Sequence, residues 1–194
     1  MNVGQMLSKY LIAAVLLVTI CLGALVFYEW QGGQTAQPLE LSFENISHKA
    51  YGRYNNHEYL VIENSEEWER IWSLAMREWS LPEIDFSTHT VIAVFMGGQS
   101  SGGHWISIER ITNVENEIII VNVKEIYPGR MMVTMALTYP RHIIKIERVQ
   151  KPIVFEVRQF KAHAHDKNLN PYDEIMYELV GEHHVEAGSG PPGP

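Results

Sequence analysis

From His89 onward the sequence reads as a succession of short apolar runs at strand period, with no helix between them. Thr90–Met96 (TVIAVFM) is a β-rich run. Trp105–Asn113 alternates, with Ile106, Ile108 and Ile111 set against Ser107, Glu109 and Arg110. Glu117–Ile126, Met131–Leu137, His142–Val149 and Ile153–Phe160 follow, divided by Asn, Gly and Pro signals. Consecutive strands without crossover helices favour antiparallel pairing. Upstream, Leu39–Ala50 and Glu58–Glu63 also read as extended.

One helix stands out against this pattern. Trp68, Ile71, Trp72, Ala75, Met76 and Trp79 recur at helical spacing and form a single apolar stripe. Asn64 suits the N-cap, Glu66 and Glu67 suit the positive end of the dipole, and Pro82 marks the stop. The stripe predicts core packing against a sheet; its tryptophans are less well explained as a sugar-binding platform. A second helix is expected over Pro171–Val180, capped by Asn170 and ended by Gly181.

Leu11–Tyr28 carries no charged residue. As a helix it would span roughly 27 Å, close to the hydrocarbon thickness of a bilayer. Lys9 precedes it, and Tyr28 and Trp30 suit the interface, so the N-terminus is expected in the cytoplasm and the rest outside. Cleavage after Ala24 would place the large Leu22 three positions before the bond. Lipidation of Cys21 would follow Ile20, where a small residue is the rule. An uncleaved anchor is therefore the favoured of the three readings, and all three export the bulk of the chain. The only cysteine, Cys21, excludes an internal disulfide and a Cys-rich zinc site.

The 194 residues carry a net charge of -8. Only Lys9 and Glu29 fall before residue 31, so the exported part keeps that whole charge. It argues against nucleic acid as a partner, because phosphate binding needs clustered cations. The fold class expected is α+β: mostly antiparallel β with one amphipathic helix packed on the sheet, plus an N-terminal transmembrane helix. The organisation expected is a cytoplasmic stub and anchor over 1–30 and a Gly/Gln linker over 31–38. A β-rich domain over 39–160 follows, then a C-terminal loop and helix over 161–186 and a disordered tail over 187–194.

Gly97–Gly103 (GGQSSGG) puts four glycines into seven residues between two strands, which costs backbone entropy that some contact must offset. It lacks the pattern of a phosphate loop and of a nucleophile elbow. Ser100 or Ser101 with His104 has no nameable third member, so no catalytic residue is assigned. The loop is either a structural hairpin or a partner contact. His163, His165 and Asp166, with His183, His184 and Glu186, have metal-ligating chemistry but sit in polar or terminal segments, so exposed histidines are favoured and no metal or cofactor is assigned.

Ile84-Asp85-Phe86, Val91–Phe95, Gly98–His104, Val121–Glu125, Pro128-Gly129, Thr138–Pro140, Ile143–Ile146 and Pro152–Phe155 come in an order and spacing that resembles the C-terminal domain of the PrcB family. The helix Glu66–Trp79 and the strand before it are similar to the upstream part of that family. His104 and Arg141 stand where that family often has aromatic residues. The resemblance implies an exported, membrane-associated β-rich module named for an accessory subunit of a surface subtilisin-type protease, with no catalytic residues to carry over. On it rests the expected function, a noncatalytic membrane-anchored protein-binding module of the cell envelope, with an extracellular protein as partner. Its expected contact residues are Gly98, Gln99, Ser100, Ser101, Gly102, Gly103, His104, Tyr139 and Pro140. Two alternatives stay open: a protease inhibitor using loops in the manner of chagasin-like inhibitors, and an envelope ligand- or metal-binding protein.

Overall fold

In a computed structural model of the chain, the structure describes residues 38–47, 52–76, 79–115, 117–164 and 175–188. The expected anchor over 11–28, most of the linker and residues 189–194 lie outside these. Among the described residues no helix is long and apolar enough to cross a membrane.

The elements run β1 (Leu39–Glu40), β2 (Glu44–Asn45), β3 (His57–Ile62), α1 (Ser65–Ala75), β4 (His89–Met96), β5 (Trp105–Val114), β6 (Ile118–Pro128), β7 (Arg141–Glu147), β8 (Ile153–Ala164) and β9 (Ile175–Glu186). They form a five-stranded sheet ordered β1-β5-β6-β8-β9 and a four-stranded sheet ordered β2-β7-β4-β3. The expectation of a mostly antiparallel β domain with one helix is met.

The period-two alternation of side chains divides the core into two layers. Ile92, Val94 and Met96 of β4 join Tyr59, Ile144 and Ile146 on the face that meets Ile106, Ile108, Val121, Val123 and Phe155 of the other sheet. Val91, Ala93 and Phe95 point the opposite way, against Trp68, Ile71, Trp72 and Ala75 of α1. β4 is thus buried on both faces, which is why its sequence is a continuous apolar run.

Helix α1 begins as expected: Asn64 is the N-cap and its side chain accepts from the Glu67 N–H at 2.9 Å. It ends at Ala75, earlier than the stripe implies, and Trp79 is half exposed. The segment after the helix folds back to satisfy two buried indoles. Trp72 Nε1 donates to the Trp79 carbonyl at 3.1 Å, and Trp68 Nε1 donates to the Pro82 carbonyl at 3.0 Å.

Four expectations need correction. Leu39–Ala50 is not one strand: within its described residues, 39–47, only β1 and β2 pair, with opposite sheets, and residues 48–50 lie outside the described ones. Met131–Leu137 is not a strand, because its polar backbone serves a loop rather than a ladder. β6 and β8 pair in parallel, since the chain crosses to the other sheet as β7 and returns beside β6 in the same direction. The helix expected over Pro171–Val180 is, from Ile175 on, strand β9, paired antiparallel with β8. Pairing with β8 decides the outcome from Ile175 on, where the Ile, Tyr and Val content suits a pleated surface, and the expected cap at Asn170 and first turn at Pro171 lie outside the described residues. The β domain therefore does not stop at residue 160, since β8 reaches Ala164 and β9 closes the same sheet.

Candidate functional site

The Gly-rich loop leaves β4 at Met96 and is stitched to the segment before β7. Gln99 and Thr138 exchange two backbone hydrogen bonds, at 2.8 and 2.9 Å, and form an isolated antiparallel bridge. The Gly102 N–H donates to the Thr134 carbonyl at 2.8 Å, and Thr138 Oγ1 donates to the Ser101 carbonyl at 2.9 Å. Gln99 Nε2 turns back to the Met96 carbonyl at 2.7 Å, and the Tyr139 ring packs on Gly98. The Pro140 carbonyl accepts from the Met96 N–H at 3.0 Å.

Two glycines owe their identity to this crossing. A Cβ on Gly102 would stand 2.5 Å from Thr134 Oγ1. Gly103 has a φ of +81° and its Cβ would stand 2.7 Å from Val133 Cγ1. The entropy the loop loses on folding is offset by close backbone approach. Gly98–His104 and Tyr139–Pro140, named separately in the sequence, are thus brought to one place. The segment that crosses them shows its side chains to solvent, with Met132 93%, Met135 88% and Leu137 63% exposed.

Beside the loop lies a polar cluster that sequence reading missed. Glu125 is completely buried at the end of the intersheet core. Its Oε1 is 2.6 Å from His57 Nε2 and accepts from the Tyr59 hydroxyl at 2.5 Å. Its Oε2 accepts from the Tyr127 hydroxyl at 2.7 Å and from Gln159 Nε2 at 3.0 Å. Burial pushes the Glu125 carboxyl up, but the hydrogen bond and charge of His57 and the two tyrosine hydroxyls outweigh it, and its pKa falls below the ordinary value. Burial and the Glu125 charge drive the Tyr59 and Tyr127 phenols far up, so both stay protonated donors. The His104 ring stands edge-on to Tyr127 at 5.9 Å, joining the cluster to the loop.

Tyr127 is two residues from Glu125, but His57, Tyr59 and Gln159 are 34 to 68 residues away, so no spacing motif links the cluster. One signal was available. The inward alternation Ile119, Val121, Val123 places the next inward side chain at Glu125, a carboxylate where the pattern calls for an apolar residue.

Chemically, both carboxylate oxygens of Glu125 are engaged by donors within the cluster. His104 Nδ1 lies 3.1 Å from the Ser101 carbonyl, and no histidine among the described residues hydrogen-bonds the Ser100 or Ser101 hydroxyl. Among the described residues, no group of three or more His, Cys, Asp or Glu is placed to hold a metal. His163 Nε2 instead meets Glu178 Oε2 at 3.1 Å, while His183 and His184 are successive strand residues on opposite faces of β9. His48, His165 and Asp166 lie outside the described residues.

Fold and site together define a two-sheet, largely antiparallel module that displays a pinned loop pair at one end. Residues 90–147 match the family described as PrcB C-terminal, which bears out the resemblance over the span from β4 to β7. That span holds both halves of the loop pair and Glu125, and it is narrower than the sequence resemblance on both sides. No curated protein and no solved structure matches the chain.

Proposed function

We propose that this chain is a noncatalytic, membrane-anchored protein-binding module of the cell envelope that serves a surface protease as an accessory subunit. The observation that carries the reading is the loop pair. Gly98–Gly103 holds the 131–138 segment by backbone hydrogen bonds, and that segment presents Met132 and Met135 almost fully, and Leu137 largely, to solvent. Exposed methionines on a rigidly held backbone suit an adaptable protein contact. The anchor over Leu11–Tyr28 would keep the module and its partner at the membrane, with the N-terminus cytoplasmic. The PrcB C-terminal match supports the choice of a protease as partner.

Crosslinking the full-length protein in its own membranes, followed by identification of what copurifies, tests this. A subtilisin-type protease should be retained by the wild type and lost when Met132→Ser and Met135→Ser are combined, with the melting temperature unchanged. Recovery of wall or envelope components alone would defeat the proposal.

A second reading, protease inhibition, draws on the same pairing of two loops at one end of a two-sheet module. Titration into a subtilisin-type protease decides it, since unchanged turnover at micromolar protein removes the idea.

A further inference from the structure

We propose that Met132 and Met135 form an oxidation site, at which peroxide turns the apolar display of the loop pair into a polar one without unfolding the domain. The resulting loss of a partner rests on the reading of this segment as the protein contact; the modification itself does not.

Among the described residues the methionines divide by position. Met132 and Met135 are almost fully exposed, Met176 is half exposed and Met131 is partly buried. Met76 and Met96 are buried, and the Met76 sulfur also accepts from Arg141 Nε at 3.1 Å. An oxidant in solution therefore reaches two sulfurs of one short segment well before it reaches the core.

The segment is held by atoms other than those sulfurs. The Gly102 N–H donates to the Thr134 carbonyl, and Gln99 and Thr138 exchange backbone hydrogen bonds. Thr138 Oγ1 donates to the Ser101 carbonyl, and the partly buried Val133 is the side chain that lies against Gly103. Oxidation at Met132 and Met135 breaks none of these contacts. In a packed core the same change would be disruptive.

The step is an oxygen-atom transfer. A sulfur lone pair attacks one peroxide oxygen, the O–O bond breaks and the S–O bond of the sulfoxide forms. The departing hydroxide takes the proton of the transferred oxygen and leaves as water, so sulfur loses two electrons and the peroxide gains them. Each flexible apolar side chain becomes a polar one with a new hydrogen-bond acceptor. A partner surface that buries thioethers then meets two acceptors without donors, which costs the contact its stability. Sulfoxide reduction restores it.

The full-length protein in its own membranes is treated with hydrogen peroxide and followed by peptide mass mapping. Met132 and Met135 should gain oxygen at least tenfold faster than Met76 and Met96, with the melting temperature in mild detergent unchanged. Crosslinked recovery of a subtilisin-type protease should fall at least tenfold and return after treatment with methionine sulfoxide reductase. In the combined Met132→Leu and Met135→Leu variant, which keeps apolar volume without sulfur, peroxide should leave recovery where it started, whatever that level is. Comparable oxidation of the buried methionines, or a melting temperature that falls as Met132 and Met135 are modified, overturns the proposal. Protease recovery that oxidation of the wild type does not change overturns it too. A wild type that recovers no protease before oxidation defeats the accessory-subunit reading instead, and the mass map and melting temperature then decide the oxidation site alone.

Discussion

His57 Nε2 and Glu125 Oε1 lie 2.6 Å apart across the two sheets, one on β3 and the other on β6. The carboxylate is wholly buried, whereas the histidine side chain keeps 22% of its surface exposed. The pair sits at the end of the intersheet core, and Tyr127, which hydrogen-bonds Glu125, links it to the Gly-rich loop through the His104 ring. A charge in that position is tolerated because four side chains hydrogen-bond to it.

Removing the carboxylate should therefore be costly. Glu125→Ala takes away the acceptor that the buried Tyr59 and the part-buried Tyr127 and Gln159 share, and a loss of about 1–3 kcal/mol is expected. The pH dependence has a fixed sign. The folded-state pKa of Glu125 is depressed, so the unfolded chain binds more protons in acid. Stability contributed by this group is present above the ordinary carboxylate value of 4.5 and is lost as pH falls through the folded value. Urea midpoints between pH 6 and pH 3 should fall more steeply for the wild type than for Glu125→Gln, and equal slopes would refute the assignment.

Another cross-sheet contact predicts a second pH effect. His142 Nδ1 accepts the Ile108 N–H at 2.9 Å, satisfying a donor on the β5 edge that β1 does not reach. An imidazole that accepts at Nδ1 has no proton there, and burial lowers its pKa below 6.5 in keeping with that role. Because the folded value is depressed, stability is full above about 6.5 and declines as pH drops toward the folded value. The melting temperature should fall between pH 7.5 and pH 5.5, and His142→Phe should remove most of that slope. The same variant leaves the Ile108 N–H unpaired, at about 1–3 kcal/mol.

How far such contacts could be read from the sequence depended on their range. The β-rich run of β4 and the Asn64 cap of α1 are local patterns, and each appeared where its pattern put it. Trp79 did not, because its carbonyl is used to bind the Trp72 indole rather than to continue the helix. The parallel β6–β8 pair was invisible, since strand order in sequence does not say which sheet β7 joins. For Ile175–Val180 the deciding fact was the vacant edge of β8, which no local propensity encodes. The loop pair was half legible. The glycines signalled a close approach, but Thr134 and Val133 as the approaching residues could be seen only in three dimensions.

That approach is testable at Gly103. Alanine there would hold an L-residue at a φ of +81° and drive its Cβ to 2.7 Å from Val133 Cγ1. A cost of about 1–3 kcal/mol is expected. The damage should be local, so hydrogen exchange at the amides of Gly102 and Thr138 should speed up before that of the core strands. Uniform acceleration across β4 and β6 would show that the loop is not a separate unit.

Thr90 offers a change in the opposite direction. It is completely buried on β4, and its Oγ1 has no hydrogen-bond partner among the described residues. Its side chain shares the face of Ile92 and Val94, toward the other sheet, where an unpaired hydroxyl costs about 1–3 kcal/mol. Valine has nearly the same shape and replaces the hydroxyl with a methyl group. Thr90→Val should therefore stabilise the domain by about 1 kcal/mol, which for a chain of this size raises the melting temperature by about 2–4 °C. Calorimetry of the two proteins under identical conditions checks it, and a lowered transition would mean that the hydroxyl is hydrogen-bonded in solution.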